Sequence, residues 1–482
     1  MSPFDEVSDD RSGDENPTRR RRVRTRTPTH TRIEPAAPPD VPVMLIAADP
    51  VADGASAATP DAVAAASESN AVALLEPRDG VPEPLITAAE VTAFAERLAA
   101  GTGPIAVDAE RASGYRYGQR AYLVQIRREG AGTALIDPIA VPDLSAIQRA
   151  IANNEWVLHA ASQDLACLSE LGMTPTLLFD TELGARLAGF ARVGLGGLVE
   201  ELLGLQLEKG HSAADWSTRP LPREWLVYAA LDVEVLIELR DKVRERLVET
   251  GKLAWAEEEF AALLAVAPPL PRVDPWRRTS GMHSLRSPRQ LAALRSLWIA
   301  REEVAQGRDI APGRILHDKA MVAGVLADPD SADAMVSLPV FRGRANRKLM
   351  RTWYGALQQA RALPESELPP LTLTGNGPPP PNRWADRDPA AAARLVAARG
   401  VIAELIATHA VPAENLLSPD LLRRLAWDPP NPLKDDSVAD HLRTGGAREW
   451  QIALTAARLA TAMATPAAPT SEDTPGPTLP AE

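Results

Sequence analysis

Apolar positions divide the chain into stretches that carry a structural period and stretches that do not. Residues 1–83 are rich in Pro, Ala, Ser, Asp and Arg and sustain neither helical nor strand spacing, so they are expected to be disordered. Periodicity begins near Pro84. Thr87, with Glu90 three residues on, is a capping-box pattern, and Val91, Phe94 and Leu98 then recur at helical spacing. Ile105, Ala106 and Val107 form a short apolar run between Pro104 and Glu110, the pattern of a buried strand. Residues 122–126 and 133–137 read as the next two strands. Helix and strand then alternate: helix 143–153, strand 156–160, helix 163–172 with Ser162 as its cap, strand 177–181, and helices to about 250. Three strands in succession followed by alternating elements predict a mixed α/β sheet with helices on both faces, spanning 84–250.

Beyond 250 the strand pattern is gone. Residues 251–284, including the run Ala267 to Pro271, read as a linker. Ser287, Pro288 and Gln290 open a helix as N-cap, first-turn proline and capping-box partner. Leu291, Leu294, Trp298, Arg301 and Val304 share one face, with Arg301 at its edge. This all-α module is placed at 285–363. A Pro-rich linker at 364–386, a second all-α module at 387–463 and a disordered tail at 464–482 complete the chain. The two modules look like a weak internal repeat: Pro312 precedes Asp318, and Pro412 precedes Ser418, each pair ending on a residue suited to cap the next helix.

At 482 residues the chain exceeds one compact core, and its 45% hydrophobic content suffices for several folded units. The single cysteine, Cys167, rules out a disulfide framework and a Cys-rich zinc site, and it reads as inert packing. No uncharged apolar run reaches the ~18 residues a membrane helix needs, and the polar N-terminus lacks a signal-peptide core. A cytoplasmic chain without membrane contact or obligate protein partner is therefore expected. The net charge of −12 argues at first against nucleic acid. However, residues 271–361 hold sixteen Lys/Arg against eight Asp/Glu, about +8, which leaves −20 for the remainder. Within that module Arg342, Arg344, Arg347, Lys348 and Arg351 run beside Phe341 and Trp353, a pattern suited to a phosphate backbone. The arginines from Arg19 to Arg26 could likewise hold RNA or simply be a solvated tail.

Two acids change the picture most. Asp108 and Glu110, at i and i+2 on the first predicted strand, project from the same face. Carboxylates at a buried strand end repel one another and lose hydration, and a divalent cation relieves both costs. Taken alone, the pair reads equally well as solvated strand-end acids. Asp164 falls in the first turn of a helix, where the dipole favours an acid. Tyr228 and Asp232, at i and i+4 on a helix, place phenol and carboxylate on one side.

In that order, on that α/β pattern, these five residues resemble the DEDD exonuclease superfamily in its tyrosine subgroup. The flanking residues around Val107–Glu110, His159–Asp164, Phe179–Thr181, Asp215–Leu221 and Tyr228–Val233 look like ribonuclease D. The resemblance implies a ribonuclease H-like (DnaQ-like) exonuclease sheet, with the basic module as an HRDC domain and the last module as a second HRDC-like copy. Trp225 departs from the pattern, standing where many members have Gln.

The resemblance further implies hydrolysis of RNA from the 3′ end to nucleoside 5′-monophosphates, with RNA 3′ ends such as those of tRNA precursors as substrate. Oxygen-only ligands suit two Mg²⁺ or Mn²⁺ ions. By family analogy Asp108 bridges both ions, Glu110 and Asp232 complete the first site, Asp164 serves the second, and Tyr228 orients the attacking water. Lys209 could touch a phosphate, and Trp216 with Arg219 could stack on or clamp the 3′ end or else anchor a loop. His159 reads as a satisfied strand-end residue, and Asp180 as a helix cap. A DNA 3′–5′ exonuclease and a non-catalytic RNA-binding scaffold are the competing readings; the carboxylates are all present, which speaks against the scaffold. Every candidate ligand precedes Val233, so a chain ending near Gly251 is expected to retain cleavage while losing RNA affinity.

Overall fold

The computed structural model describes residues 71–208, 210–265, 272–373 and 377–465. Most of the N-terminal extension, its arginine cluster, Lys209 and the C-terminal tail lie outside the described residues. The expectation of disorder up to residue 83 needs correction from Ala71 onward. Strand β1 (Val72–Leu74) pairs in parallel with β7 (Leu205–Leu207), and Arg78 reaches both Glu234 and Glu238. The apolar content of this stretch is too low to show a period, yet ion pairs and backbone bonds to distant elements hold it.

Helix α1 (Ala88–Ala100) carries the expected reciprocal capping box between Thr87 and Glu90. It leads into β2 (Thr102–Arg111), β3 (Ala121–Glu129) and β4 (Gly132–Ile136), which form an antiparallel meander. Helix α2 (Ser145–Ile151), β5 (Glu155–Leu158), α3 (Leu165–Glu170) and β6 (Leu177–Asp180) then add two strands parallel to β2. The sheet order is β4-β3-β2-β5-β6. Ile105, Ala106 and Val107 are consecutive and all buried, so both faces of the central strand are covered. Helices α4 (Thr181–Ala188), α5 (Leu195–Leu203), α6 (Arg223–Glu234) and α7 (Leu236–Glu249) complete the α/β unit.

The expected linker at 251–284 is mostly not a linker. Helix α8 (Leu253–Ala265) packs Phe260 against Phe179 of β6, with ring centroids 4.9 Å apart. Trp276 and Leu285 belong to the core of the basic module, so that module starts before 285. Its helices are α9 (Pro288–Arg308), α10 (Pro312–Ile315), α11 (Asp318–Ala327), α12 (Ala332–Ser337) and α13 (Arg344–Ala362). Ser287 caps α9 with Gln290 as expected. Arg301 is not at the edge of its face but buried, held by Asp318 at 2.7 Å and Glu302 at 3.1 Å. The long aliphatic stem packs while the guanidinium finds carboxylates.

The last module begins inside the expected Pro-rich linker. Its helices are α14 (Trp384–Arg387), α15 (Pro389–His409), α16 (Ala413–Leu416), α17 (Pro419–Trp427), α18 (Asp435–Thr444) and α19 (Glu449–Ala464). Trp384 is fully buried. The repeat is legible: α9 and α15 each end on a left-handed residue, Asp309 and Ala410, before a four-residue helix. Ser418 caps α17 through Leu421 N, whereas Asp318 makes no cap and serves Arg301 instead.

This module shares one continuous apolar core with the α/β unit. Trp255 of α8 stacks on Trp450 of α19 at 4.9 Å and 13°, Trp450 donates to Glu259 at 3.1 Å, and Arg448 pairs with Glu259 at 3.3 Å. A chain cut at Gly251 would therefore strip Phe179 and the rest of this seam of cover, and the expectation that it retains cleavage is withdrawn on that ground. Trp450→Ala should cost about 3–5 kcal/mol, because it opens a cavity and leaves the buried Glu259 with Arg448 as its remaining partner. Urea unfolding checks this; a loss under about 1 kcal/mol would mean the seam is not part of the cooperative core.

Candidate active site

The candidate site sits at the end of β2. Strand alternation puts Asp108 and Glu110 on one face, and α6 crosses that end of the sheet carrying Tyr228 and Asp232. Carboxylate oxygens of Asp108, Glu110 and Asp232 all lie within 4.8 Å of one another. Asp164 approaches from the turn after β5, with its carboxylate 3.5 Å from the Arg111 guanidinium. The sequence-predicted acids are thus brought together, with Asp164 set apart from the other three.

Burial pushes all four carboxyls up, and their mutual repulsion adds to it. Glu110, Asp164 and Asp232 rise well above the carboxylate range, with Asp108 among the charges that push each. Asp108 itself is raised by burial, with opposition from the Ala109 amide and Arg111. A hydrogen bond from Tyr228 opposes the rise at Asp232. The same burial and carboxylates push the Tyr228 phenol up, so it stays protonated. Close-set carboxylates with insufficient countercharge fit a hard divalent cation. An orphaned amide points the same way: Gln125 pairs with Asp108 across the ladder, so their side chains share a face, yet it is fully buried and makes no hydrogen bond among the described residues.

The turn that presents Asp164 is built by Asp180. Its carboxylate accepts from Ala160 N at 3.0 Å, Ala161 N at 2.8 Å, Glu182 N at 2.9 Å and Leu183 N at 3.1 Å. It caps α4 as expected and also fixes the left-handed Ala160 that precedes Asp164. Sequence reasoning missed this second task, since nothing local links residues 20 apart. Ser162 lies in a 3-10 turn, and α3 starts from Asp164 without any side-chain cap, so the expected Ser162 cap is absent. Cys167 is buried, with its thiol pushed up to about 12 by burial, as suits packing.

Two predicted substrate contacts are corrected. Trp216 is fully buried, donates to His211 O at 3.2 Å and packs on Trp225 and Tyr228, so it anchors the loop. Arg219 is tied to Asp137 at 2.6 Å and to Tyr122 O at 2.7 Å. Neither is free to hold a 3′ end. Trp225, the departure from the family pattern, fills the same aromatic cluster. His211, passed over in the sequence, lies edge-on to Tyr228 at 5.9 Å and lines a small cleft with Tyr228 and Asp232. In the basic module Arg342, Arg344, Arg347, Lys348 and Arg351 are exposed and form no ion pair among the described residues. Phe341 and Trp353 are fully buried beneath them.

With this geometry in view, comparison with known proteins gives a consistent picture. Residues 82–248 match the 3′-5′ exonuclease family model, 290–357 the HRDC domain and 377–463 the 3′ to 5′ exonuclease C-terminal domain. Ribonuclease D of Gluconacetobacter diazotrophicus is 32% identical over 361 residues, covering 73% of this chain and 88% of that protein. A solved structure of a protein from Bifidobacterium adolescentis superposes with a TM-score of 0.77 at 38% identity, covering 82% of this chain and 100% of that one. Escherichia coli RNase D, described as an exoribonuclease involved in structured RNA processing, superposes with a TM-score of 0.56 at 28% identity, covering 71% and 89%.

His159 supplies a pH test of the site's scaffold. Its Nδ1 lies 2.9 Å from Thr181 Oγ1, and burial pushes the ring down to about 4. The unfolded chain takes up this proton near the ordinary 6.5, so the stability it contributes is full above that pH. That contribution is lost as pH falls from about 6.5 towards 4, at up to ~1.4 kcal/mol per pH unit. His159→Gln should flatten this part of the profile of urea midpoints against pH. An unaltered slope would assign it to other groups.

Proposed function

We propose a mechanism and a substrate class for a chain that belongs to the ribonuclease D family and is a 3′–5′ exoribonuclease. The observation that carries the mechanism is the convergence of Asp108, Glu110 and Asp232 within 4.8 Å under the Tyr228 phenol. Asp108, Glu110 and Asp232 would hold one divalent ion, and Asp108 with Asp164 a second, Mg²⁺ or Mn²⁺ being the hard cations such oxygens prefer. Ions held there supply Lewis-acid stabilisation of the charge on the phosphodiester and a more acidic water.

The chain's own residues do the rest. Burial and three neighbouring carboxylates keep the Tyr228 phenol protonated before any cation binds. As a hydrogen-bond donor it would orient the attacking water. Attack at phosphorus forms one P–O bond and breaks the bond to the 3′ oxygen of the penultimate nucleotide. That oxygen leaves with a proton, and a nucleoside 5′-monophosphate is released. The buried carboxylates repel an incoming phosphate unless their charge is neutralised, so substrate binding and cation binding are coupled.

The substrate class we favour is RNA with structure near its 3′ end, tRNA precursors among them, acting in the cytoplasm. Support comes from Arg342, Arg344, Arg347 and Lys348 at and just before the start of α13, exposed and without an ion pair among the described residues, which offer positive charge to a phosphate backbone. No helix among the described residues is long and apolar enough to cross a membrane.

Full-length protein incubated with 3′-labelled RNA or matched DNA, with and without Mg²⁺ or Mn²⁺, tests the chemistry. Cleavage should need the ion, Asp108→Ala should abolish it, and Tyr228→Phe should slow it roughly ten- to a thousandfold with the fold intact. An Asp108→Ala variant of near-normal rate would defeat the assignment. For the basic face, reversing Arg344, Arg347 and Lys348 to Glu in the whole chain should weaken binding of structured RNA. It should also make the plot of log affinity against log salt shallower, by roughly 0.7–0.9 for each phosphate no longer neutralised. Equal slopes would mean that α13 does not meet the backbone.

A further inference from the structure

Of the four acids, Asp164 alone stands outside the preformed cluster, and it alone has a cation in contact. Arg111 is the residue next to Glu110 on β2. Regular alternation would send it to the opposite face of the sheet. The β2–β3 ladder shifts register between Glu110 and Arg111, where β2 ends, and the guanidinium there lies 3.5 Å from the Asp164 carboxylate. The Asp164 side chain makes no helix cap, and Arg111 is the side-chain partner it has among the described residues.

The two partners differ in freedom. Asp164 is 5% exposed and follows a turn pinned by two backbone bonds to Asp180, which two more bonds hold to the start of α4. The Arg111 side chain is 27% exposed and reaches solvent on a long flexible stem. When the pair parts, it is therefore the arginine that moves. Arg111 also lowers the carboxyls of Asp108 and Glu110 besides that of Asp164, so its charge serves the whole cluster.

We propose that Arg111 is a built-in counter-ion for the second metal position: it holds Asp164 until a second divalent cation displaces it, so that the two ions bind in order, the first at Asp108, Glu110 and Asp232. This rests on the reading of Asp164 as a ligand of the second ion. The arginine relieves repulsion among acids that would otherwise be unpaired, and it raises the concentration at which the second ion binds. Arg111 is thus a positioning residue, acting on the reaction through Asp164.

Calorimetric titration of the full chain with Mn²⁺, without RNA, tests it. Wild type should bind one ion tightly and a second more weakly. Asp164→Ala should remove the weaker event and leave the first. Arg111→Ala should strengthen the weaker event by roughly fivefold or more, and by more than it strengthens the first, with Arg111→Lys falling between. A second event unaltered or weakened in Arg111→Ala, while Asp164→Ala abolishes it, would overturn the counter-ion role alone. If Asp164→Ala keeps both events, the reading of Asp164 as a ligand fails and takes this inference with it. Retained unfolding transitions establish that each variant is folded before it is titrated.

Discussion

Mutual repulsion among buried carboxylates is the constraint that the rest of this molecule accommodates. Asp108, Glu110, Asp164 and Asp232 are each pushed up by burial, and the last three also by neighbouring carboxylates, so the fold carries an electrostatic cost at this one place. Such a cost persists only where the surroundings over-determine the geometry. Here they do: Asp108 and Glu110 sit on the central strand of a five-stranded sheet, and Asp232 on a helix packed across it. Separating the charges would unpack Ile105, Ala106 and Val107 on the strand side, or Leu226, Ala229 and Ala230 on the helix side. The acids are held poised for a cation because the sheet is rigid.

Support for that geometry comes from polar groups that act at a distance. Asp180 gathers the amides of Ala160 and Ala161 ahead of Asp164, and Arg219 ties the loop before α6 to Asp137 and to β3. Trp216 and His211 wall the Tyr228 ring, and Trp225 packs against both. A phenol that only orients a water must be held to fractions of an ångström, and aromatic packing with a buried indole bond achieves this.

What was legible in the sequence follows from how local each signal is. The sheet strands, the Thr87 and Ser287 capping boxes and the placement of Asp108 with Glu110 on a strand and Tyr228 with Asp232 on a helix depend on neighbours within four residues, and each element is where the pattern put it. The substrate roles of Trp216 and Arg219 failed because they are partnered by residues far away, Asp137 being 82 positions from Arg219. An exposed-looking Trp or Arg in a loop carries no mark of what lies over it. The same blindness made α8 a linker: its apolar residues cover Phe179 and meet Trp450, neither of which is nearby in sequence. Strand β1 was missed because its three residues bond to β7 through backbone, which leaves no side-chain pattern.

The two helical modules repeat one helix order but are attached by different physics. The C-terminal module joins the core of the α/β unit, through Trp450 on Trp255, and Lys252 reaches His409 O at 2.5 Å across the seam. The HRDC module instead meets the loop between β2 and β3. Ala311 N donates to Tyr115 O at 2.9 Å, Arg314 donates to Gly114 O at 2.7 Å and lies over the Tyr115 ring, and Asp309 pairs with Arg120 at 3.1 Å. Exposed polar contacts of this kind are each worth little and are screened by salt, whereas a shared apolar core is not. The loop they grip runs from Arg111 at the ligand strand to Ala121. The basic face of α13 is thus carried by the module whose hold on the catalytic unit is the weaker, at the segment adjoining the acids. An internal repeat in sequence can therefore yield one copy that completes an apolar core and another held by polar contacts at a single loop.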